Sequence, residues 1–167
     1  MSKSPYAAMN CEVFAGKITS LLDGLSSMGA YQIAEESKLG LVVRVDSEDV
    51  FAILAALRQD SELQFEQLID VFGADVRESI EVTYRLRSLV NNIDLIIKTE
   101  LPYAGVYLSV GELYAAAWMP ERELCEMFGL SLLDHPNPKR LLTMDGMPPF
   151  LRKEVGIRTK EEIWGSS

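Results

Sequence analysis

EVTYRLRSLVNNIDLIIKTELP, residues 81–102, carries the fold in its spacing. Val82, Tyr84 and Leu86 alternate with Glu81, Thr83, Arg85 and Arg87. A period of two sends successive side chains to opposite faces, so this is a half-buried antiparallel strand. Asn91-Asn92 supplies a tight turn, Ile93–Leu101 the return strand, and Pro102 ends it by removing a ladder donor. Upstream, residues 63–72 are apolar enough for another strand, and Asp75–Ser79 offers turn chemistry between the two.

Further out, the period changes. Val13, Phe14, Ile18, Leu21, Leu22 and Leu25 fall at helical spacing, which predicts an amphipathic helix over 11–28 that Gly29 can stop. Tyr31–Ala34 and Leu41–Val45, joined by the polar Glu35–Gly40, predict a hairpin. Asp46 or Ser47 can cap a second helix whose stripe is Val50, Phe51, Leu54 and Leu57. Downstream, Ser109 and Glu112 have the spacing of a capping box, with Leu113, Tyr114 and Ala117 behind it. Pro120 suits the first turn of a last helix, Glu121–Phe128, closed by Gly129. Helix, hairpin, helix, then a meander of strands is an α+β domain, its helices packed on one face of a small, mostly antiparallel sheet.

The chain divides into a globular part, residues 1–133, and a tail, Asp134–Ser167, which has a different character. Four of the seven prolines lie in it, at 136, 138, 148 and 149. Each removes a donor and pushes its predecessor toward extended backbone. Residues 1–133 carry 10 basic and 20 acidic side chains, the tail 6 basic and 5 acidic. Yet the tail keeps Leu141, Leu142, Met144, Met147, Phe150, Leu151, Val155, Ile157 and Trp164, which solvated disordered chains lack. Such an extended, proline-broken segment must either fold back on its own domain or lie along a partner.

With 25 acidic residues against 16 basic, the net charge is −9. That sign repels phosphate backbones and anionic lipid, so nucleic acid is a poor partner. The longest apolar runs fall far short of the roughly 20 residues a membrane helix needs, so direct membrane insertion is not expected. MSKSPYAAMN, the first ten residues, lacks a signal-peptide apolar stretch. Cys11 and Cys125 stand alone, as idle thiols do in a reducing compartment.

Chemistry is sparse. His135 is the one histidine and no G-x-S-x-G accompanies it, so nucleophilic catalysis has little to work with. Two isolated cysteines cannot hold an iron–sulfur cluster, and neither dinucleotide nor phosphate loop appears. Glu121, Glu123 and Glu126 suggest a carboxylate site, but acids early in a helix are also favoured by its dipole. No cofactor, metal or catalytic residue is assigned.

The ordered series WMPERELCEMFG (118–129), HPNPKRLL (135–142) and LRKE (151–154) resembles a known signature. Small hydrophilic subunits of the respiratory complex I family, and their counterparts in membrane-bound hydrogenases, read E-R-E, D-M-F-G, H-P, R-R-I-L and L-R-K-D in that order. Glu121-Arg122-Glu123, Met127-Phe128-Gly129, His135-Pro136, Lys139-Arg140, Leu142 and Leu151-Arg152-Lys153 match in sequence and spacing. EVTYRLRSLVNN (81–92) and IIKTELP (96–102) fit the family's preceding strands, so the resemblance covers about residues 63–154. Glu126 stands where the family usually has aspartate, and P-P-F-L-R-K-E where it has G-H-P-L-R-K-D, as in a divergent branch.

The resemblance implies a cofactor-free accessory subunit in the hydrophilic arm of a complex I-type NADH or ferredoxin-quinone oxidoreductase. Its partners would be the large catalytic subunit, along which the tail runs, and the small iron–sulfur subunit. It would be held peripherally at the membrane through the complex, on the cytoplasmic, matrix or stromal side. The same subunit of an energy-converting hydrogenase, and a free-standing acidic binding module, are the alternatives. A small enzyme working through His135 is a third. Expected interface residues are Glu121, Arg122, Phe128, His135, Arg140, Arg152 and Lys153, with the arginines favoured for their planar fork.

Overall fold

The computed structural model describes residues 5–25, 31–35 and 41–154. The Glu35–Gly40 link, Gly29 as a helix stop, and the tail residues Val155, Ile157 and Trp164 lie wholly or mostly outside that range. A helix α1 (Pro5–Gly24) precedes the hairpin β1 (Gln32–Glu35) and β2 (Leu41–Arg44), and α2 (Val50–Gln59) follows it. The meander is β3 (Gln67–Asp75), β4 (Ser79–Ser88) and β5 (Ile93–Pro102). After it come β6 (Val106–Leu108), a 3₁₀ turn at Ala115–Ala117, α3 (Trp118–Phe128) and β7 (Ser131–Leu133).

The five-stranded sheet runs β1-β2-β5-β4-β3, antiparallel throughout except where β2 pairs β5. The expected α+β class and mostly antiparallel sheet are therefore present. The deciding hairpin pairs without a slip from Ser79↔Pro102 to Ser88↔Ile93. Its turn is tied down by Asn91, whose amide donates to Glu62 O at 2.8 Å and Leu63 O at 3.1 Å, while Asn92 takes the left-handed backbone (φ 54°) that asparagine tolerates.

Pleating sorts the side chains. Val43, Ile97, Tyr84 and Val71 share one row of the core face, and all are buried with Leu54 and Leu57 of α2 and Ile18 and Leu22 of α1. Each fully buried leucine in that layer contributes about 1.5–3 kcal/mol. On the opposite face the charges pair across strands. Glu81 accepts from Arg44 (2.7 Å) and Lys98 (2.9 Å), and Asp94 from Arg85 (2.7 Å) and Arg87 (3.1 Å). Burial pushes the Glu81 carboxyl up, but Lys98 and Arg44 outweigh it and hold it low.

α3 reaches the core face over β3. A Cβ on Gly73 would lie 2.8 Å from the Phe128 ring, so glycine there sets the closeness of helix to strand.

Several local expectations differ. The helix expected from Ser109 is a turn followed by one 3₁₀ turn, because the Ser109 hydroxyl is spent elsewhere, donating to Glu121 at 2.6 Å and accepting from Gly111 N–H at 3.1 Å. Trp118 lies against Gly111, where any Cβ would clash with the indole at 2.3 Å. α2 starts after Asp49 with no side-chain cap, the chain having turned through the Asp49 N–H to Asp46 O bond (3.1 Å) instead of an Asp46 or Ser47 cap. The strand expected at 63–72 begins at Gln67, since Phe65 N–H bonds back to Leu57 O at 3.1 Å. The short parallel pair β6–β7 gave no alternation to read.

Candidate partner-docking surface

Between β6 and α3 sits a buried polar tie. Glu121 is fully buried and accepts three bonds, from Val110 N–H (2.7 Å), the Ser109 hydroxyl (2.6 Å) and the Tyr107 hydroxyl (3.3 Å). His135 lies 3.9 Å from the same carboxylate. Its Nδ1 accepts from Asn137 N–H at 2.9 Å, which leaves Nε2–H to donate to Trp118 O at 3.0 Å. Burial raises the Glu121 carboxyl above its usual range, although Ser109, Val110 and His135 pull the other way. Buried, shifted carboxylates are common in active sites, but neither Glu121 nor His135 lines the clefts beside β2, β5, α1, the strap or β3. What the arrangement does is fasten the end of β6, the start of α3 and the start of the tail to one point.

From His135 onward the described chain has neither helix nor strand, and its backbone is strapped to the domain mostly by side chains, with a main-chain bond from Leu151 N–H to Met127 O (3.1 Å). Glu126 of α3 accepts from the N–H groups of Leu141 (2.6 Å), Leu142 (3.1 Å) and Thr143 (2.5 Å). Three successive amides around one carboxylate make an anion nest. Burial alone would raise this carboxyl, but the bonds from Thr143, Leu141 and Leu142 win and bring it down to about 2. Arg122 donates to the carbonyls of Lys139 (2.7 Å) and Arg140 (2.9 Å). Arg140 in turn donates to the Thr143 hydroxyl (2.9 Å) and Met147 O (3.2 Å).

A second clip closes the far end. Arg152 caps α3 by donating to Phe128 O (2.7 Å) and Gly129 O (3.3 Å), its guanidinium 4.8 Å from the centre of the Tyr103 ring. Asp75, at the end of β3, accepts from Lys153 N–H at 2.7 Å and from the Tyr103 hydroxyl at 2.8 Å. The Lys153 amide is the main reason the Asp75 carboxyl sits below its usual range.

The side chains of this strap point the other way. Leu142 is 61% exposed and Met144 71%, with Phe150 and Leu151 also open to solvent. Trp118 and Met119 at the start of α3 are exposed as well. So the main chain folds back on its own domain while several of its apolar side chains do not.

Of the seven expected interface residues, Glu121, Phe128 and His135 are buried inside this chain and shape the surface from beneath. Arg122, Arg140 and Arg152 spend their guanidinium groups on tail and helix-end carbonyls and on the Thr143 hydroxyl. Lys153 binds through its amide and keeps its side chain outside. Sequence reasoning missed Glu126 and Asp75, the two carboxylates that hold the strap. Glu126 carried a signal, its place beside Met127-Phe128-Gly129 in the signature; Asp75 carried only its turn chemistry.

The fold and this surface make a small α+β domain that holds a proline-broken strap with several of its apolar side chains outward. The chain belongs to the family described as the respiratory-chain NADH dehydrogenase 30 Kd subunit, whose sequence profile matches residues 43–161. It is 37% identical over 115 residues to an NADH-quinone oxidoreductase subunit from a Wolbachia strain of Brugia malayi, covering 66% of this chain and 60% of that one. A Hyphomonas neptunium protein of the same name is 32% identical over 129 residues, covering 74% and 63%. A Beta trigyna protein named NADH dehydrogenase [ubiquinone] iron-sulfur protein 3 is 32% identical, covering 77% and 69%. The chain thus spans roughly six tenths of the length of the first two relatives. A chain in the archaeal membrane-bound sulfane sulfur reductase shares the fold, with TM-score 0.65 at 18% identity over 81% of this chain and 77% of that one.

An iron–sulfur cluster, as in the name of the Beta trigyna protein, does not fit the donors of this chain. Cys125 is buried and burial pushes its thiol up to about 12, the opposite of a thiolate ligand, and Cys11 of α1 is the only other cysteine in the sequence. Among the described residues no helix is long and apolar enough to cross a membrane.

Proposed function

We propose that this chain is a cofactor-free accessory subunit of a complex I-type oxidoreductase, which positions the large catalytic subunit for electron transfer. In this reading residues 1–133 are the scaffold and residues from Asp134 onward are the docking arm. The observation that carries it is the strap: its backbone is fixed by Glu126, Asp75 and three arginines, while Leu142, Met144, Phe150 and Leu151 are left facing solvent. A surface fixed before binding loses little ordering entropy on association, which is how preorganised contacts gain affinity.

The partners proposed are the large catalytic subunit and the small iron–sulfur subunit, with NADH or ferredoxin as donor and quinone as acceptor. The association with the membrane is peripheral, through the complex and on its cytoplasmic, matrix or stromal side. Relatives above 30% identity carry NADH oxidoreductase names, and this favours that branch over the hydrogenase one. Tagged chain purified from its source membrane should bring down both partners; deleting residues 134–167 should abolish retention of the large subunit. Normal retention by the truncated chain would overturn the reading.

A further inference from the structure

β3 is an edge of the sheet, nine residues long, with neither lysine nor proline in it. Native proteins blunt such edges with lysine, proline, bulges or a covering element, because unpaired backbone groups recruit other strands. Here the one irregularity is a register shift between Leu68 and Asp70, at the start of the strand. The turn bond from Val76 N–H to Ser79 O (3.0 Å) sets the alternation of the ladder. Residues 70, 72 and 74 therefore bond to β4, and the N–H and C=O groups of 71, 73 and 75 face the free side. The Val71 N–H is taken by the Asp70 carboxylate at 2.9 Å. Among the described residues, no backbone bond reaches the free side of Gly73.

Beside this edge lies a groove of about 260 Å³ between β3 and α3, with Phe72, Gly73, Pro120, Met127 and Leu151 on its walls. Phe72 and Leu151 are exposed. The charged residues lining the groove are Asp70 and Glu123, both acidic.

We propose that the free edge of β3 takes up an extended segment of a partner polypeptide as a sixth strand, with apolar side chains on the groove and basic ones toward Asp70 and Glu123. Main-chain bonds to residues 71, 73 and 75 supply affinity, and the two carboxylates select the charge. A second copy of this chain is a poor occupant, since β3 against β3 would bring Asp70 and Glu123 of both copies into one groove. Leu151 is the one wall residue that the strap supplies; the free edge and both carboxylates belong to β3 and α3, so a strapless chain would keep them.

The probe is a nine-residue blocked peptide alternating lysine and valine, with a glutamate–valine peptide as control, titrated into the full chain and followed by NMR and amide exchange. The basic peptide should slow exchange at Gly73 and Asp75 by about tenfold and leave Phe72 and Ala74, already in the ladder, little changed. The acidic peptide should do neither, and Glu123→Lys should erase the preference. Any of four results would overturn the proposal: no protection by the basic peptide, equal protection by both, a Gly73 amide already protected in the free chain, or a dimer with the same amides protected.

Discussion

The domain and its strap solve the same problem in opposite ways. In the domain, β4 and β5 satisfy each other's backbone groups and turn Val82, Tyr84, Leu86, Leu95 and Ile97 inward. In the strap, prolines at 136, 138, 148 and 149 prevent any such ladder. Its amides are met instead by Glu126 and Asp75 and its carbonyls by Arg122 and Arg140. A ladder hides apolar side chains as it forms; side-chain clips fix a backbone without hiding anything. Greasy residues can then be held in place and still exposed.

Removing a tie from the domain should therefore cost more than removing one from the strap. Glu121→Leu strands the Val110 N–H and the Ser109 and Tyr107 hydroxyls in a buried site. The loss should be about 3 kcal/mol or more, read by denaturant unfolding of the whole chain. Glu126→Ala strands three amides at the edge of the strap, where water can reach once it lifts. Opening of residues 141–143 should become easier by about 2 kcal/mol by amide exchange, while the β4–β5 amides keep nearly all their protection. Equal loss in both regions would mean that strap and domain unfold as one.

Acid should divide the two regions as well. Glu126 has its carboxyl lowered from 4.5 to about 2. The strap therefore draws stability from the ionised form above pH 4.5 and loses it progressively as pH falls toward about 2. Glu121 is shifted upward. The folded core then prefers the protonated acid, and this contribution weakens as pH rises above 4.5 through the raised value. Moderate acidification should firm the tie around Val110 before it frees Leu141–Thr143, as followed by the amide shifts of each. Simultaneous release would break the contrast.

How much of this could be read from the chain depends on range. The meander was legible because its alternation is local: Glu81–Arg87 announces both faces within seven residues. The five-stranded order was not, since the parallel β2–β5 pairing joins Leu41 to Leu95 and leaves no local trace. The same limit hid the clips. Asp75 meets Lys153 across 78 positions of sequence. Glu121 and Glu126 look alike as helix acids, yet one faces β6 and the other the strap. The signature placed attention on α3 and the tail, but Glu121, Phe128 and His135 build the surface from below; of the outward positions Leu142 lay in the signature, while Met144 stood out only by composition.

The smallest effect on the isolated chain is the most telling. Leu142→Ser with Met144→Ser alters two side chains that are mostly open to solvent, at 61% and 71% exposure. Stability should move by no more than about 0.5 kcal/mol, and Leu142 keeps its amide bond to Glu126 because that bond is to the backbone. If these side chains are what the strap presents, the double variant should fold, keep amides 141–143 protected and still lose retention of the large subunit. A variant that loses stability instead would put Leu142 and Met144 in the domain's own core, and the difference between strap and domain would vanish with it.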